Sequence, residues 1–281
     1  MYLSQKAVLL AGANLGLDCE ILHPDAITVR VAINGRYYYF THWIKPFNTV
    51  DTVRLLKDKD LTYSLLAKHI KIPDWEPFLD PHVDDLYPIS PNSNNYKSVH
   101  DIAKRIEDVF GYPHIIKPNK GSTGKNVSKV TNMTELLASL NTVFEHGSQN
   151  YDYIAIAQEF VDIAHEYRIL TFRGDILMMY EKDISNATYI GNLSPLHWEN
   201  SKAVMINDIT LQNKILEFIK PTWREIDIQF AGYDIAIDKG GDMRLIEINS
   251  NPGLKHLIDD NGIEPVVKMY EKIFTKIRDQ I

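Results

Sequence analysis

The chain has 281 residues, of which 44% are hydrophobic and 24% are charged, as is typical of a globular protein large enough for two or three subdomains. Its net charge of −7 provides no general basic surface, which argues against nucleic acid as the main partner. The single cysteine, Cys19, excludes an internal disulfide and a cysteine-rich zinc site, and it favours a reducing, cytoplasmic location. No stretch is long and apolar enough to predict a membrane span, so we expect no membrane partner.

Helical and strand-like patterns interleave along the whole chain, which predicts the α/β (α+β) class. In the N-terminal half we expect a helix at 4–16, a strand at 19–24, two strands within 26–43 that turn at Asn34-Gly35, helices at 61–70 and 98–111, strands at 114–118 and 127–130, and a helix at 133–147. The stretch 73–96 carries five prolines and predicts a long connection at a subdomain boundary.

The C-terminal half continues the same alternation. We expect a strand at 154–161, two strands across 167–182 that turn at 173–175, a helix at 211–226, a hairpin at 231–249 and a final helix at 264–280. Lys59 is placed just ahead of the helix at 61–70, where a lysine is usually solvated.

The hairpin is the most informative part of the chain, and its run is AGYDIAIDKGGDMRLIEINSNPG at 231–253. Two segments of alternating apolar residues flank a glycine-bearing turn, which is a hairpin signal. The hydrophobic pattern predicts a register that pairs Tyr233 with Ile248 and Ile235 with Ile246.

In that register Asp234 lies directly opposite Glu247, and Asn249 shares their face. Like charges opposite each other on a sheet are destabilising, whereas a hard cation between them reverses the sign. Asp, Glu and Asn oxygens suit Mg²⁺, so the face predicts a magnesium site. The alternative is a solvated hairpin face on which the two acids are simply wet.

A candidate phosphate site follows the strand at 114–118. Lys117 ends this strand, and the run GSTGK at 121–125 follows it, so small residues would let backbone N–H groups approach a polyphosphate. The glycine–lysine spacing of a P-loop is absent. The alternative is a surface loop with incidental glycines.

Two further groups of residues carry chemistry that ordinary surface features could also explain. The end of the strand at 158–161 could bind an adenine edge through its backbone, and Glu166 could hold ribose hydroxyls, although a solvated acid explains Glu166 equally well. Arg168 and Lys182 could neutralise a transferring phosphoryl group, or they could form surface salt bridges. The three histidines near these segments, His165, His197 and His256, are each interpreted as polar rim residues.

The order of these parts resembles the ATP-grasp ligase superfamily, in the branch of cyanophycin synthetases, the glutathione-synthetase module of the bifunctional bacterial enzyme and ribosomal-protein S6 glutamate-ligase-type enzymes. The resemblance rests on GYPHIIKPNKGSTGKNV, AQEFVDIAHEYRILTFRGDILMMYEK, AGYDIAIDKGGDMRLIEINSNPGL and the upstream run FNTVDTVRLLKDKDLTYSLLAKHIKIPDW. It covers about residues 45–256. It implies an ATP-grasp fold of three subdomains, 1–98, 99–162 and 163–281, with 99–162 as a lid and the nucleotide bound between two α+β subdomains.

The resemblance also implies a role for each candidate residue. Lys59 and Lys117 would contact ATP at the phosphates and at the adenine N7 side. The loop that contains Gly121, Ser122, Thr123 and Gly124 and runs to Asn126 would close over the phosphates. The adenine would be bound by Gln158, Glu159, Phe160 and Val161, and the ribose by Glu166. Mg²⁺, or Mn²⁺ in its place, would be held by Asp234, Glu247 and Asn249. The catalytic group would be Arg168 and Lys182 at the transferred phosphoryl group, together with Asn249.

The implied activity is an ATP- and Mg²⁺-dependent ligase that joins a carboxylate to an amine through an acyl phosphate, with an amino acid or a peptide as substrate. Two alternatives stay open, an ATP-grasp kinase of a small molecule and a non-catalytic nucleotide-binding module. Many members of the superfamily associate, so a homodimer is a further expectation.

The chain departs from the family pattern at three places. It has Asn126 where the family often has Gly, and Lys182 where the family often has Arg, which keeps the charge but loses the bidentate fork. The usual substrate-binding segment is replaced by DISNATYIGNLSPLHWENSKA at 183–203. This segment and residues 1–50 are expected to line the acceptor pockets, so substrate identity does not follow from the resemblance.

Overall fold

The structure is a computed structural model that describes residues 2–42, 44–83, 96–121 and 123–280. Residues 84–95 of the predicted connection lie outside the described residues, and so does Ser122 of the predicted phosphate loop. The helices are α1 Leu3–Asn14, α2 Val50–Lys57, α3 Lys59–Leu66, α4 Val99–Phe110, α5 Met133–Val143, α6 Ile209–Ile219, α7 Thr222–Glu225, α8 Lys255–Asn261 and α9 Glu264–Arg278. The strands are β1 Cys19–Ile21, β2 Thr28–Ile33, β3 Arg36–Thr41, β4 Trp75–Leu79, β5 His114–Pro118, β6 Ser128–Val130, β7 Ile154–Glu159, β8 Ile163–Phe172, β9 Asp175–Asp183, β10 Lys202–Met205, β11 Phe230–Asp238 and β12 Met243–Asn249.

Three antiparallel sheets organise the described residues, which confirms the predicted mixed class. The N-terminal sheet has the order β1-β2-β3, the central sheet β4-β7-β5-β6 and the C-terminal sheet β10-β9-β8-β11-β12. Among the described residues, no helix combines the length and the apolar character that crossing a bilayer requires.

Local signals explain most of the element ends. The side chain of Ser98 accepts a hydrogen bond from the backbone N–H of Asp101 at the start of α4, and Gly111 ends that helix with a φ of 61°. The hairpin of β2 and β3 turns through Asn34 and Gly35, whose φ angles are 51° and 73°, as the predicted Asn-Gly turn requires.

Several predictions of the elements are wrong. Lys59 does not precede its helix but is the first residue of α3, because Asp58 caps the helix N-terminus through Leu61 N–H at 3.1 Å. Residues 75–79 of the predicted connection form β4, an edge strand that tolerates Pro77. The helix predicted at 211–226 is divided at Pro221 into α6 and α7. The short elements α2, α8 and β10 were not predicted.

The C-terminal sheet is buried on both faces, and each face belongs to a different core. Leu170 and Phe172 of β8 pack with α1, α9 and the N-terminal sheet, whereas Tyr167 and Ile169 pack with α3 and α6. A third core lies between the central sheet, α4 and α5. The alternation of a strand therefore assigns even-numbered residues of β8 to one face and odd-numbered residues to the other.

The register of β11 and β12 agrees with the prediction at its functional positions and differs beside them. Asp234 lies opposite Glu247, as predicted. Ile235 pairs with Leu245 and not with Ile246, because a β-bulge interrupts the ladder after Asp234. A bulge inserts an extra residue that the hydrophobic alternation does not reveal.

Candidate active site

A cluster of buried charges occupies one end of the C-terminal sheet. Glu166 and Arg168 continue the even-numbered face of β8 beyond the apolar Leu170, and Lys182 and Asp234 lie on the same face of β9 and β11. Strand periodicity alone therefore brings these four side chains together where the core ends.

Asp234 is the centre of this cluster. Its carboxylate accepts two hydrogen bonds from Arg168, from Nε at 2.7 Å and from a terminal guanidinium nitrogen at 2.5 Å. Lys182 Nζ lies 3.0 Å from Asp234 Oδ2, and it also donates a short hydrogen bond to Glu166. Because Asp234 is only 3% exposed, the wet-hairpin interpretation is wrong for this residue.

Attraction between the opposite charges keeps Asp234 and Lys182 ionised despite their burial. Burial acts to raise the pKa of Asp234, but the charges of Arg168 and Lys182 outweigh burial and hold that pKa well below its usual range. Burial acts to lower the pKa of Lys182, and Asp234 and Glu166 reverse the effect, so the pKa of Lys182 is raised. Lys182 is thus a buried cation, and Arg168 is a partly buried one whose side chain is 16% exposed; both have acidic partners, so the surface salt-bridge interpretation is wrong for both.

Lys59 connects the hairpin to the predicted phosphate loop. Its Nζ donates to Gly121 O at 2.7 Å and to Asn119 O at 3.3 Å, and lies 3.5 Å from Glu247 Oε1. Lys59 is only 8% exposed, so it is not the solvated lysine that its position suggests. The loop itself needs small residues, because a Cβ on Gly121 would lie 2.4 Å from the Pro118 ring.

Lys117 lies in β5 on the other side of this junction and is buried. Its Nζ donates to Gln158 Oε1 at 2.6 Å and to the Tyr63 hydroxyl at 2.9 Å, both of which are neutral. Burial, with a further contribution from Lys59, lowers the pKa of Lys117 to about 7, and Glu247 opposes the shift. Without an anion beside it, this lysine is close to losing its charge at neutral pH.

Residues 158–161 are placed at the end of the central sheet. Gln158 and Glu159 are the last two residues of β7, and Phe160 and Val161 lead from it into β8. The Glu159 carboxylate accepts from Asp74 N–H at 3.2 Å. The strand end is thus tied to β4.

The turn after Asn249 packs tightly on β11. A Cβ on Gly232 would lie 2.8 Å from Pro252 Cβ, so glycine permits this approach. Lys45 anchors the turn from the N-terminal region, because its Nζ donates to Pro252 O at 3.0 Å and its backbone N–H donates to Asn251 Oδ1 at 3.0 Å. Burial lowers the pKa of Lys45 to about 7.

The segment 183–203 reaches the phosphate loop. Asn192 Nδ2 donates to Thr123 O at 3.1 Å, and a Cβ on Gly124 would lie 2.1 Å from Asn192 Oδ1. Trp198 Nε1 donates to Asn192 O at 2.6 Å and packs against Tyr189. This segment is therefore an ordered wall and not only a connection.

Sequence reasoning missed Tyr63, Asn119, Lys45 and Asn192. Tyr63 is four residues after Lys59, so both lie on one face of α3, and this spacing could have identified it. The Tyr63 hydroxyl also donates to Ile246 O at 2.6 Å. No local pattern marks the other three, because their partners are remote in sequence.

The acidic hairpin offers a divalent ion one acid that is partly open. Glu247 keeps 27% of its side chain exposed beside Lys59. Within the described residues the buried amide nitrogen of Asn249 has no hydrogen-bond partner, but this atom is a donor, and the oxygen of the amide would be the metal ligand. Both carboxylate oxygens of Asp234 already contact cations. No group of three or more His, Cys, Asp or Glu side chains with metal-binding geometry occurs in the described part of the chain. A mixed set of two acids and an amide fits an oxygen-coordinated ion once Asp234 shares its oxygens.

Comparison with known proteins identifies the family of the chain. The profile of the RimK-like ATP-grasp domain matches residues 57–273. A probable alpha-L-glutamate ligase from Shewanella pealeana is 26% identical over 236 residues, which are 83% of this chain and 45% of that protein. A D-alanine–D-alanine ligase from Nitratiruptor sp. is 27% identical over 154 residues, 53% of this chain and 43% of that protein. The chain thus spans about half the length of the curated relatives it matches.

Solved structures show the same fold. The D-Ala:D-Ser ligase VanG from Enterococcus faecalis superposes with a TM-score of 0.57 at 17% identity, covering 81% of this chain and 63% of that one. A D-alanine–D-alanine ligase from Bacillus anthracis in complex with ATP gives a TM-score of 0.51 at 17% identity, covering 82% of this chain and 69% of that one. At these identities the shared property is the fold.

Proposed function

Because the chain belongs to the family of RimK-like ATP-grasp domains, we propose that it is an ATP-dependent ligase that joins a carboxylate to an amine through an acyl phosphate. The single observation that carries the proposal is the junction of the Asp234 cluster with Lys59 and Glu247 at the Gly121 loop. Amino acids are the proposed substrates, since the names of the relatives are those of glutamate and D-alanine ligases.

The first step requires that the repulsion between the substrate carboxylate and the triphosphate be overcome. A carboxylate must approach a triphosphate, and at about 4 Å two unit charges repel by about 4 kcal/mol at an effective dielectric constant of 20. Lys59 and Lys117 would bind the phosphates, and Arg168 and Lys182 would stabilise the charge on the transferred phosphoryl group. The carboxylate oxygen then forms a bond to the γ-phosphorus, and ADP leaves.

The second step forms the amide. The amine nitrogen attacks the acyl carbon, and the acyl C–O bond breaks as phosphate leaves.

Glu247, Asn249 and Asp234 would hold Mg²⁺, which when bound neutralises phosphate charge and aligns the transfer. Glu159 to Val161 would bind adenine, and Glu166 the ribose once it exchanges its contact with Lys182.

The boundaries at 1–98, 99–162 and 163–281 remain part of this proposal, with residues 99–162 as the lid that excludes water from the acyl phosphate. The third core, between the central sheet, α4 and α5, supports a separate unit. Its edge strand β4 comes from residues 75–79, before the predicted boundary. A cytoplasmic location is also proposed, on the basis of the single cysteine.

A trapping assay tests the function. The protein is incubated with ATP, Mg²⁺ and each of the twenty protein amino acids in turn, with and without hydroxylamine, which converts an acyl phosphate into a hydroxamate. We expect ADP and hydroxamate with at least one amino acid. A stable phosphorylated product that hydroxylamine does not consume would indicate a kinase, and ATP binding without ADP release would indicate a binding module.

A further inference from the structure

Two histidines from distant parts of the chain meet beside the charged cluster. His197 ends a short 3-10 turn, Pro195–His197, inside the segment 183–203, and His256 is the second residue of α8. Their rings pack edge to face, with centroids 5.0 Å apart and planes at 90°. Both are half-buried, and in the described ranges no hydrogen bond reaches either imidazole nitrogen.

The neighbours of these histidines hold them firmly. Leu196 is buried in the same core as Leu257 and Ile258 of α8, so residues beside both rings are fixed by packing. The turn also packs on β9, the strand that carries Lys182. The imidazoles are therefore rigid groups at the wall of the site.

The electrostatic surroundings favour a neutral ring at His197. Burial lowers the pKa of His197, and the positive charges of His256 on α8, Lys182 on β9 and Arg168 on β8 lower it further. A neutral imidazole can accept a proton, whereas an imidazolium ion cannot.

We propose that His197 accepts the proton of the attacking amine and that His256 is a positioning residue that holds the His197 ring. This inference rests on the proposed ligase function and assigns the base that the amide-forming step requires. The amine lone pair forms the C–N bond, the acyl C–O bond breaks, and phosphate leaves with that electron pair. The surplus proton on nitrogen passes to the free imidazole nitrogen of His197 and then to solvent.

The location explains why this base would come from the replaced segment. The same segment that carries His197 contacts the phosphate loop through Asn192. One wall of the site thus touches the loop over the phosphates and presents a proton acceptor near the cations that stabilise the acyl phosphate.

Nuclear magnetic resonance tests the protonation state without any substrate. The full chain is labelled with ¹³C at histidine Cε1, and the signal absent from His197→Gln identifies His197. We expect His197 to titrate below the usual histidine value of about 6.5. A midpoint at or above that value would show that burial and the neighbouring cations do not favour the neutral ring, and it would refute the proposal.

Kinetics with two nucleophiles test the role itself. Hydroxylamine is neutral at pH 7 and also attacks acyl phosphates in free solution, where water takes its surplus proton, whereas the amino group of an amino acid is largely protonated and must lose two protons to become an amide. With the amino acid that gives hydroxamate as the carboxylate, His197→Gln and His197→Asn should lose about 100-fold or more of amide formation but little hydroxamate formation. The matched control His100→Gln, on the exposed surface of α4, should retain both.

The pH profile separates positioning from packing. His256→Gln removes a charge that opposes protonation of His197, so the rise of amide formation with pH should move to higher pH. Equal loss of hydroxamate and amide in the His197 variants, or an unshifted profile in His256→Gln, contradicts the assignment while leaving the ligase function intact. Wild-type protein that forms no hydroxamate with any of the twenty amino acids, or with D-alanine assayed in the same way, refutes the proposed amino-acid ligase function itself.

Discussion

At the scale of single residues, the two acids of the hairpin, Asp234 and Glu247, lie in different surroundings. Asp234 is buried between Arg168 and Lys182, so its charge contributes to folding as well as to the proposed chemistry. Glu247 faces it across the hairpin but remains partly exposed, with Lys59 3.5 Å away. The two acids are therefore equivalent in charge and different in structural role.

Paired variants should separate these roles. Asp234→Asn and Glu247→Gln should both lower turnover by at least about 100-fold at saturating Mg²⁺. Only Asp234→Asn should destabilise the fold strongly, by about 3–5 kcal/mol, because it removes the acid that Arg168 and Lys182 share and leaves Lys182 with Glu166 alone. Denaturant unfolding and steady-state kinetics measure the two effects. Near-normal turnover in either variant would show that this face does not take part in the reaction.

Lys117 predicts how ATP affinity depends on pH. Burial lowers its pKa to about 7 in the free protein, and a bound phosphate would raise that pKa again. Below pH 7 the lysine is already charged, so affinity should vary little there with this group. Above pH 7 binding must take up a proton, and the Kd for ATP should rise by up to about tenfold per pH unit.

Calorimetry in buffers of different ionisation enthalpy measures this proton uptake directly. Lys117→Met should bind ATP more weakly and should lack the added proton uptake between pH 7 and 9. Identical pH dependence in the wild type and this variant would show that Lys117 does not contact the phosphates.

At the scale of elements, the loop after β5 and the segment 183–203 approach each other closely at Gly124. Gly124 has a φ of 70°, and a Cβ there would lie 2.1 Å from Asn192 Oδ1. Glycine is required for the backbone conformation and for the close approach. Movement of the loop and of the segment 183–203 should therefore be coupled.

Gly124→Ala should raise the KM for ATP and lower turnover by about tenfold or more, because the added Cβ displaces the Asn192 side chain that links the two elements. Gly147→Ala is the matched control, since Gly147 has a φ of 86° but nothing within 4 Å of an added Cβ. Both changes carry a backbone strain of roughly 1–2 kcal/mol. Equal kinetic effects of the two changes would mean that strain, and not the contact with Asn192, explains the loss.

The hairpin shows what a sequence can and cannot predict at this scale. Apolar alternation predicts that Asp234 lies opposite Glu247, because a one-residue slip would move the whole apolar set to the wrong face. It misses the bulge beside Asp234 and the strand β4 at 75–79, where prolines dominate the pattern. It also treats Asp234 as facing only metal or water, because pairing with β8 and β9 depends on contacts remote in sequence.

At the scale of the whole molecule, three cores are joined at the candidate site. One core connects the N-terminal sheet with the C-terminal sheet, a second lies on the opposite face of the C-terminal sheet, and the third supports the central sheet. Lys59 and Lys117 lie where the central sheet approaches the acidic hairpin. The order of motifs along the chain predicts this arrangement in outline, whereas the contact of the segment 183–203 with the Gly121 loop joins residues remote in sequence and could not be predicted.

The proposed mechanism requires that one carboxylate oxygen of the substrate becomes bonded to the γ-phosphorus and leaves with the phosphate. The most direct measurement uses the amino acid that gives hydroxamate, labelled with ¹⁸O in its carboxylate, and mass analysis of the phosphate released during amide formation. An acyl phosphate transfers one labelled oxygen to each phosphate, and this is the predicted result. Phosphate that carries no label would mean that water or another group attacks ATP, and it would contradict the account.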